Sequence, residues 1–209
     1  MAVCRHISLD LLHVSLDYRD CSSAKLPITR DRDFMFEIIK EDLERFANGP
    51  GFLNKIKISF TSIGFTTVIL IRLQSFFYTH KLIFLAYLLH HWNLITTGAD
   101  VLPGCKIGAG LRIDHPVGIV IGAGTIIGQN CTIMQGVTIG VKHIDRTFND
   151  HKYPIIGDNV SIGSKASILG GVYVGSNSII GAHAVVTKDA SAGSNLVGIP
   201  ARELRRDKL

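Results

Sequence analysis

Residues 119–140 read IVIGAGTIIGQNCTIMQGVTIG, and this stretch decides the fold. Within it an isoleucine stands at every sixth position from Ile121 to Ile139, and three of these four are followed directly by glycine. The same spacing extends in both directions along the chain. Its openers are Ile107, Ile113, Ile121, Ile127, Ile133, Ile139, Ile156, Ile162, Ile168, Val174, Ile180 and Val186. Because a spacing of six drifts around a helical turn of about 3.6 residues, the pattern excludes an α-helix and predicts short strands joined by tight turns.

A second inward-facing position is expected four residues after each opener. The residues found there include Val117, Thr125, Cys131, Val137, Val160, Ala166, Val172 and Ala184. Three hexads build one triangular coil, and successive coils stack their openers into an apolar interior while their backbones pair. The sequence therefore predicts a mainly β fold, a parallel β-helix of hexapeptide repeats. A glycine-rich β-sandwich is the alternative, and the twelve openers in step disfavour it.

Two interruptions of the period are where we expect function, because departures from a regular pattern mark functional sites in natural proteins. The first adds two residues between Ile113 and Ile121, within IDHPVGIV. The second adds eleven residues between Ile139 and Ile156 and contains the polar sequence VKHIDRTFNDHKYP. We expect this excursion, residues 141–155, to project from the coil as a loop.

Three regions differ in composition and define the expected organisation. Residues 1–34 form an N-terminal extension, residues 35–98 a small α-helical region, and residues 99–209 the β-helix with its C-terminal tail. The helical region opens at Met35 with MFEIIKEDLERF, whose apolar residues recur at helical spacing. The sequence NGPG stops this helix, and two or three further helices are expected before the β-helix.

Composition narrows the partners and the compartment. The chain of 209 residues has a formal net charge of +5, which suits an anionic partner. It has no Lys/Arg block of the kind that binds nucleic acid, so no nucleic-acid partner is expected. The four cysteines show neither CxxC spacing nor the density of a disulfide scaffold, which favours a reducing cytoplasm. The N-terminus lacks the features of a signal peptide, and the histidines lack the spacing of a zinc site.

The most apolar region, residues 58–92, is interrupted by Arg72, His80 and Lys81. Its longest uninterrupted run, residues 58–71, is too short to span a bilayer, so we expect buried helices and no transmembrane segment. Peripheral membrane contact stays open, because aromatic side chains could also serve a helix that lies at the interface. The aromatic residues in question are Phe76, Phe77, Tyr78 and Phe84.

From about residue 36 to residue 204 the chain resembles bacterial serine acetyltransferases and their relatives in surface-polysaccharide biosynthesis. The segments that carry the resemblance are KEDLERF in the helical region, GADVLPGCKIGAGLRIDHPVGIVIG, QGVTIG and VGIPAREL. The resemblance implies a left-handed parallel β-helix, acetyl-CoA as the donor, and a homotrimer with active sites in the clefts between subunits. The helical region could then pair two trimers.

Acetyl transfer to a hydroxyl needs a base that removes its proton, and histidine is the side chain best suited to this task near neutral pH. His115 follows Asp114 at the first interruption, where a polar side chain can leave the apolar interior and face a cleft. By resemblance to the family, His115 is the general base, Asp100 orients its imidazole, and Asp114 contacts the acceptor. The alternative is that all three are ordinary turn or cap residues.

The excursion departs from the family, whose serine acetyltransferases carry an Arg-His pair directly before a proline. Here Lys152 and Tyr153 precede Pro154, and His151 lies two residues upstream of the expected place. Lys152 offers a cation without the bidentate fork of arginine. His151 and Tyr153 are nevertheless candidates for acceptor binding, because this loop offers many hydrogen-bond donors and acceptors over a short span.

Acetyl-CoA needs a narrow groove for its pantetheine arm and cations near its phosphates, and coil edges supply such a groove. By position, Gly140, Ser164 and Ala182 match backbone sites that line the cofactor groove in the family. Lys188 and the tail at residues 202–208 could meet the phosphates. Ordinary solvated charges are the alternative for these cations.

Together these observations predict an acetyl-CoA-dependent O-acetyltransferase that works by direct transfer, with His115 as the base and without a metal. L-serine, in cysteine biosynthesis, is the first acceptor considered, and a sugar hydroxyl in surface-polysaccharide biosynthesis is the second. A catalytically silent β-helix that scaffolds partners is the rival from another class, because a fold does not fix a function.

Overall fold

A computed structural model describes most of the chain, namely residues 32–47, 58, 61–142 and 153–204. The helices used below are α1 (Arg32–Phe46), α2 (Ile63–Thr79) and α3 (Ile83–Thr97). The α1 helix begins three residues before Met35, the expected start. An apolar pattern marks the buried face of a helix and leaves its first turn undefined, so such boundaries move by a few residues.

The ends of α2 and α3 follow local capping chemistry. The hydroxyl of Ser62 accepts a hydrogen bond from the backbone N–H of Phe65 at 3.2 Å, which caps the start of α2. Gly98 ends α3 with a φ of +75°, a conformation that glycine adopts without steric cost. Its N–H donates to the carbonyl of Leu94 at 3.0 Å. The chain turns here and enters the first strand.

Short strands, most of them two residues long, make up the rest of the described chain. They are β1 (Asp100–Val101), β2 (Lys106–Ile107), β3 (Arg112–Ile113), β4 (Val120–Ile121), β5 (Ile126–Ile127), β6 (Thr132–Ile133), β7 (Thr138–Gly140), β8 (Ile155–Ile156), β9 (Ser161–Ile162), β10 (Ser167–Leu169), β11 (Tyr173–Val174), β12 (Ile179–Ile180), β13 (Val185–Val186), β14 (Asn195–Val197) and β15 (Arg202–Glu203).

These strands form three sheets, ordered β1-β4-β7-β10-β13, β2-β5-β8-β11 and β3-β6-β9-β12-β14-β15. We call them the first, second and third face. The chain visits the three faces in turn, and the strands within each face pair in parallel. The exception is β15, which turns back antiparallel on β14. The predicted parallel β-helix is therefore confirmed.

The predicted hexad openers stack in columns inside this helix. On the first face the openers Ile121, Ile139, Ile168 and Val186 stand in one register, and Val101 of β1 precedes them in the same column. The other openers form equivalent columns on the second and third faces. Eleven of the twelve openers are buried and the remaining one is half-buried. The six-residue period thus identifies the core of the coil.

The prediction that Val117 faces inward is wrong. Its side chain is 66% exposed, and Ile119 is fully buried in the interior position instead. The two additional residues at the first interruption are the reason, because they separate the position four residues after Ile113 from the position two residues before Ile121. In the uninterrupted hexads these two positions coincide. The interruption therefore leaves His115 and Val117 exposed, while Pro116 between them stays buried.

The helical region packs closely against the first coil. The buried side chain of Arg72 donates hydrogen bonds to the carbonyls of Ile107 at 2.6 Å and Gly108 at 2.7 Å. A Cβ atom at Gly64 would overlap the carbonyl oxygen of Ile113, so only glycine lets α2 approach β3 this closely. These contacts fix the helices relative to the strands that carry the first interruption.

The α3 helix presents polar and small residues inward and large apolar residues outward. Its buried residues are Ala86, His90, Asn93 and Thr97. Its apolar face, as we use the term, consists of the exposed residues Phe84, Leu88, Trp92 and Ile95. Among the described residues, no helix combines the length and apolar character needed to cross a bilayer.

Candidate active site

The loop between β3 and β4 carries the predicted Asp114-His115 pair. It is held at both ends: Arg112 Nε donates to Asp114 Oδ1 at 2.9 Å, and the N–H of Gly118 donates to the carbonyl of Gly98 at 2.9 Å. His115 is exposed, and its imidazole makes no hydrogen bond to any described residue. A base for an external substrate needs such an accessible ring.

Asp100, the expected partner of His115, lies at the start of β1 beside Val120 of β4. Within the described chain its carboxylate is paired with His90 of α3, with 2.8 Å between Nε2 and Oδ1. No hydrogen bond joins Asp100 to His115. Sequence reasoning missed His90, because a histidine in an apolar helix belongs to no motif and its neighbour across the fold depends on tertiary packing.

Asp114, the expected acceptor contact, is half-exposed and shares its carboxylate with Arg112. Arg112 Nη1 donates to the carbonyl of Arg45 at 3.1 Å, and the central carbon of the guanidinium, Cζ, lies 6.0 Å from the centroid of the Phe46 ring. The site therefore contains a cation beside the predicted acceptor carboxylate. Sequence reasoning sought this cation in the excursion and missed Arg112, which the pattern shows only as an outward strand residue.

Tyr153, an expected acceptor contact, is half-buried where the excursion rejoins the coil. Its ring lies against Gly122 and Gly124, where a Cβ atom on either glycine would collide with it. The two glycines thus leave the space that the ring fills. His151, the other candidate in the excursion, lies outside the described residues, as do all of residues 143–152.

A groove of about 350 Å³ runs along the third face of the coil. It is lined by Thr132, Met134, Ser161, Ile162, Gly163, Ile179, Ile180, Gly181 and Ala182. Two predicted acetyl-CoA contacts lie here: Ala182 lines the groove, and Ser164 follows its lining residue Gly163 directly. The carbonyl of Ser164 accepts a hydrogen bond from the N–H of His183 at 2.9 Å, which stacks the turns of adjacent coils.

The other two predicted acetyl-CoA contacts belong to the first face. Gly140 ends β7, and no atom lies within 4 Å of the position that its Cβ would take. Lys188 is exposed and follows β13, two strands along the same face. In a single chain two of the four predicted contacts therefore lie on the third face and two on the first, not in one groove.

The described cysteines do not offer a reactive sulfur. Cys105 and Cys131 are free and buried. Burial raises the pKa of the Cys105 thiol to about 12 and that of Cys131 to about 11. Because the thiolate is the nucleophilic form, neither residue can carry an acetyl group through a thioester near neutral pH. In the described part of the chain, no three His, Cys, Asp or Glu side chains group as metal ligands.

Two family models match the coil. The model described as bacterial transferase hexapeptide (six repeats) matches residues 153–188. The model described as the hexapeptide repeat of succinyl-transferase matches residues 118–142. Both matches fall on the stretches where the six-residue period was identified.

Curated relatives and solved structures extend this likeness. A serine acetyltransferase of Synechococcus elongatus is 33% identical over 173 residues, covering 82% of this chain and 70% of the relative. One of Helicobacter pylori is 36% identical over 159 residues, covering 76% of this chain and 91% of the relative. The crystal structure of Neisseria gonorrhoeae serine acetyltransferase superposes with a TM-score of 0.75 at 32% identity, covering 83% of this chain and 66% of that one. A structure of the same enzyme in complex with serine gives a TM-score of 0.73 at 30% identity, covering 83% and 70%.

Fold and site together define the class: an acyltransferase built on a left-handed parallel β-helix of hexapeptide repeats, with an exposed histidine at an interruption of the coil. The sequence identities to serine acetyltransferases, and the share of each chain that they cover, define the family within this class. The chain belongs to the serine acetyltransferase family.

Proposed function

We propose that this chain transfers the acetyl group of acetyl-CoA to the hydroxyl of L-serine. The observation that carries the proposal is the family membership, at 33% and 36% identity to serine acetyltransferases, combined with an exposed His115 at the first interruption. The names of these relatives give no support to a sugar hydroxyl or to a silent scaffold. L-serine is therefore the acceptor that the comparisons favour.

In the proposed reaction His115 removes the proton of the serine hydroxyl while the oxygen attacks the thioester carbonyl. General-base catalysis of this kind requires the imidazole to reach the hydroxyl, and the exposed position of His115 permits it. Asp100 orients the ring and stabilises the positive charge that the ring acquires. The proton then passes from His115 to the leaving sulfur of CoA, which leaves O-acetylserine and free CoA.

A zwitterionic acceptor needs an anion for its ammonium group and a cation for its carboxylate. We assign Asp114 to the ammonium group, as its half-exposed carboxylate lies one residue from the base. We assign Arg112 to the serine carboxylate, because its Nε lies 2.9 Å from Asp114 Oδ1 and places a cation beside the assigned ammonium contact. We retain His151 and Tyr153 as acceptor contacts from the excursion.

For the donor we retain Gly140, Ser164, Ala182 and Lys188 as the acetyl-CoA contacts. Two of them flank the groove on the third face and two lie on the first face. A neighbouring subunit can combine the two pairs into one cleft, which supports a homotrimer. Open space over Gly140 suits close approach of a pantetheine arm to the backbone.

The apolar face of α3 would be covered if helical regions pair two trimers. This face exposes four large apolar side chains, whereas polar residues occupy the buried side of the helix. Exposed apolar patches mark interaction sites, so we expect a contact between helical regions at this face. Peripheral membrane contact is the alternative. Light scattering and vesicle sedimentation separate the two: a hexamer that does not bind anionic vesicles supports paired trimers, and a trimer that sediments with vesicles contradicts them.

The use of acetyl-CoA as the donor and the buried free thiols of the described chain fit a cytoplasmic site of action.

The acceptor is tested by measuring thiol release from acetyl-CoA with L-serine and with a panel of sugars, followed by mass spectrometry of the product. We expect thiol release that depends on L-serine and a product heavier than serine by one acetyl group. Release that is faster with a sugar than with L-serine would contradict the proposed acceptor. Equal release with and without any acceptor would contradict transfer altogether.

A further inference from the structure

A buried histidine ring holds one oxygen of Asp100. The Nε2 atom of His90 lies 2.8 Å from Asp100 Oδ1. The side chain of His90 is only 8% exposed, whereas that of Asp100 is 39% exposed. The carboxylate is therefore partly exposed to solvent, while one of its two oxygens is hydrogen-bonded to a buried side chain.

The hydrogen that His90 offers is assigned to Nε2. The other ring nitrogen, Nδ1, is buried and has no hydrogen-bond partner among the described residues. A hydrogen placed on Nδ1 would be an unsatisfied buried donor, and it would leave the lone pair of Nε2 facing a carboxylate oxygen at 2.8 Å. The ring is thus set to donate to Asp100 through Nε2.

Both partners are attached to fixed backbone. His90 lies in the middle of α3 and packs edge-on against the rings of Tyr87 and His91, at centroid distances of 6.1 and 5.2 Å. The backbone N–H of Asp100 donates to the carbonyl of Ile119 at 2.8 Å, which ties β1 to the coil beside the His115 loop. The hydrogen bond to Oδ1 therefore joins two elements of regular structure, α3 and β1.

We propose that His90 is a positioning residue for the acetyl transfer, acting through Asp100. By holding Oδ1, it keeps the carboxylate in one rotamer and directs Oδ2 towards His115. No described residue donates a hydrogen bond to Oδ2, so that oxygen is available to the imidazole. The inference rests on the proposed function, in which Asp100 orients the base. Its physical basis is pre-organisation, since small misplacements of catalytic groups reduce rates strongly.

A purely structural role is the competing account, because the same hydrogen bond also fastens α3 to β1. Asn93 provides a matched control for it. Asn93 is buried on the same face of α3, about one turn further along, and its side chain is hydrogen-bonded to the Thr97 hydroxyl at 2.8 Å and not to Asp100. Removing its side chain should disturb the packing of α3 as much as removing that of His90, without touching the carboxylate.

The experiment is steady-state kinetics of the full chain with acetyl-CoA and L-serine, for His90→Ala, His90→Gln and Asn93→Ala. We expect His90→Ala to lower kcat roughly 10- to 100-fold, the range typical of misplaced catalytic groups, with little change in either KM. Glutamine can place an N–H donor close to the position of Nε2, so His90→Gln should restore most of the lost kcat. Asn93→Ala should lower thermal stability and leave kcat nearly unchanged.

A double-mutant cycle completes the test. Once Asp100→Asn has removed the carboxylate, adding His90→Ala should cost little further kcat. An equal loss of kcat in His90→Ala and Asn93→Ala, or a full additional loss in the Asp100→Asn background, would overturn the inference. Should His90→Ala not fold, His90→Phe keeps the ring without the donor and is expected to show the same loss of kcat.

The same kinetics distinguish a wrong role for His90 from a wrong catalytic mechanism. If His115→Ala and Asp100→Asn both keep the turnover of the unmodified chain, the proposed mechanism is wrong. If both lose turnover while His90→Ala and His90→Phe keep it, only the role of His90 is wrong.

Discussion

Arg72 and Asp42 form a two-point ion pair inside the protein, with 2.8 Å between Arg72 Nε and Asp42 Oδ2 and 3.0 Å between Arg72 Nη2 and Asp42 Oδ1. Both side chains are buried, and Asp42 also accepts from the backbone N–H of Leu111 at 2.8 Å. One carboxylate of α1 thus joins α2 to the first coil. The helical region is fastened to the β-helix at the level of the candidate site.

We predict that Asp42→Ala destabilises the protein by about 3–5 kcal/mol, because it leaves the Arg72 guanidinium buried without its counter-charge. Denaturant unfolding measures the change. The control is Glu37→Ala, which breaks an exposed pair with Lys40 on the surface of α1. Such exposed pairs contribute little, so the control should be nearly neutral. Similar effects of the two substitutions would contradict the bridging role of Asp42.

A buried hydroxyl inside the coil should reduce the stability of the fold. Thr125 is fully buried, and its Oγ1 has no hydrogen-bond partner among the described residues. We predict that Thr125→Val raises the free energy of unfolding by about 1 kcal/mol, since an unsatisfied buried hydroxyl is replaced by a methyl group. The same substitution at Thr132 should destabilise, because that hydroxyl accepts a hydrogen bond from Arg45 at 3.0 Å. Destabilisation by Thr125→Val would show that its hydroxyl is satisfied in solution.

The regular part of the fold could be predicted from the sequence because a six-residue period fixes which side chains face inward. Val117 shows where that reasoning ends: two additional residues shift the inward position to Ile119. The partners of Asp42 and Asp100 could not be predicted. Each lies on a different element, and no local pattern states which helix residue meets which strand.

Of the candidate site, His115 could be proposed from the sequence alone, because a histidine at a break in the period is recognisable without the folded structure. The structure leaves this residue exposed and accessible. Arg112 and His90 were missed, as their relevance depends on the side chains they touch in the folded chain. Gly140 and Lys188 lie on the first face and Ala182 on the third, so their proposed joint contact with acetyl-CoA would need a neighbouring subunit.

Alkaline pH should weaken the folded state through its buried thiols. The pKa values of Cys105 and Cys131 are raised by burial from 9.0 to about 12 and about 11. Above pH 9 the unfolded chain loses these protons while the folded chain keeps them, so the free energy of unfolding falls as pH rises towards 11. We expect a shallower fall between pH 9 and 11 for Cys131→Ala, measured by thermal unfolding. Parallel curves for the two proteins would contradict the buried, protonated thiol.

The excursion should select the acceptor without holding the coil together. The strands on either side of it keep their own partners, since β7 pairs with β4 and β10, and β8 pairs with β5 and β11. We predict that replacing residues 143–152 with a short Gly/Ser bridge preserves folding and acetyl-CoA affinity while abolishing turnover with L-serine. Unchanged serine kinetics, or an equal loss of acetyl-CoA affinity, would assign the loop another role.

The central claim is that His115 is the base that activates the serine hydroxyl. Its most direct test is the rate of CoA thiol release with saturating acetyl-CoA and L-serine for His115→Ala beside the unmodified chain. We predict a loss of turnover on the order of 10² to 10⁴, the usual contribution of a general base, with unchanged acetyl-CoA affinity. Turnover by His115→Ala close to that of the unmodified chain would contradict the account.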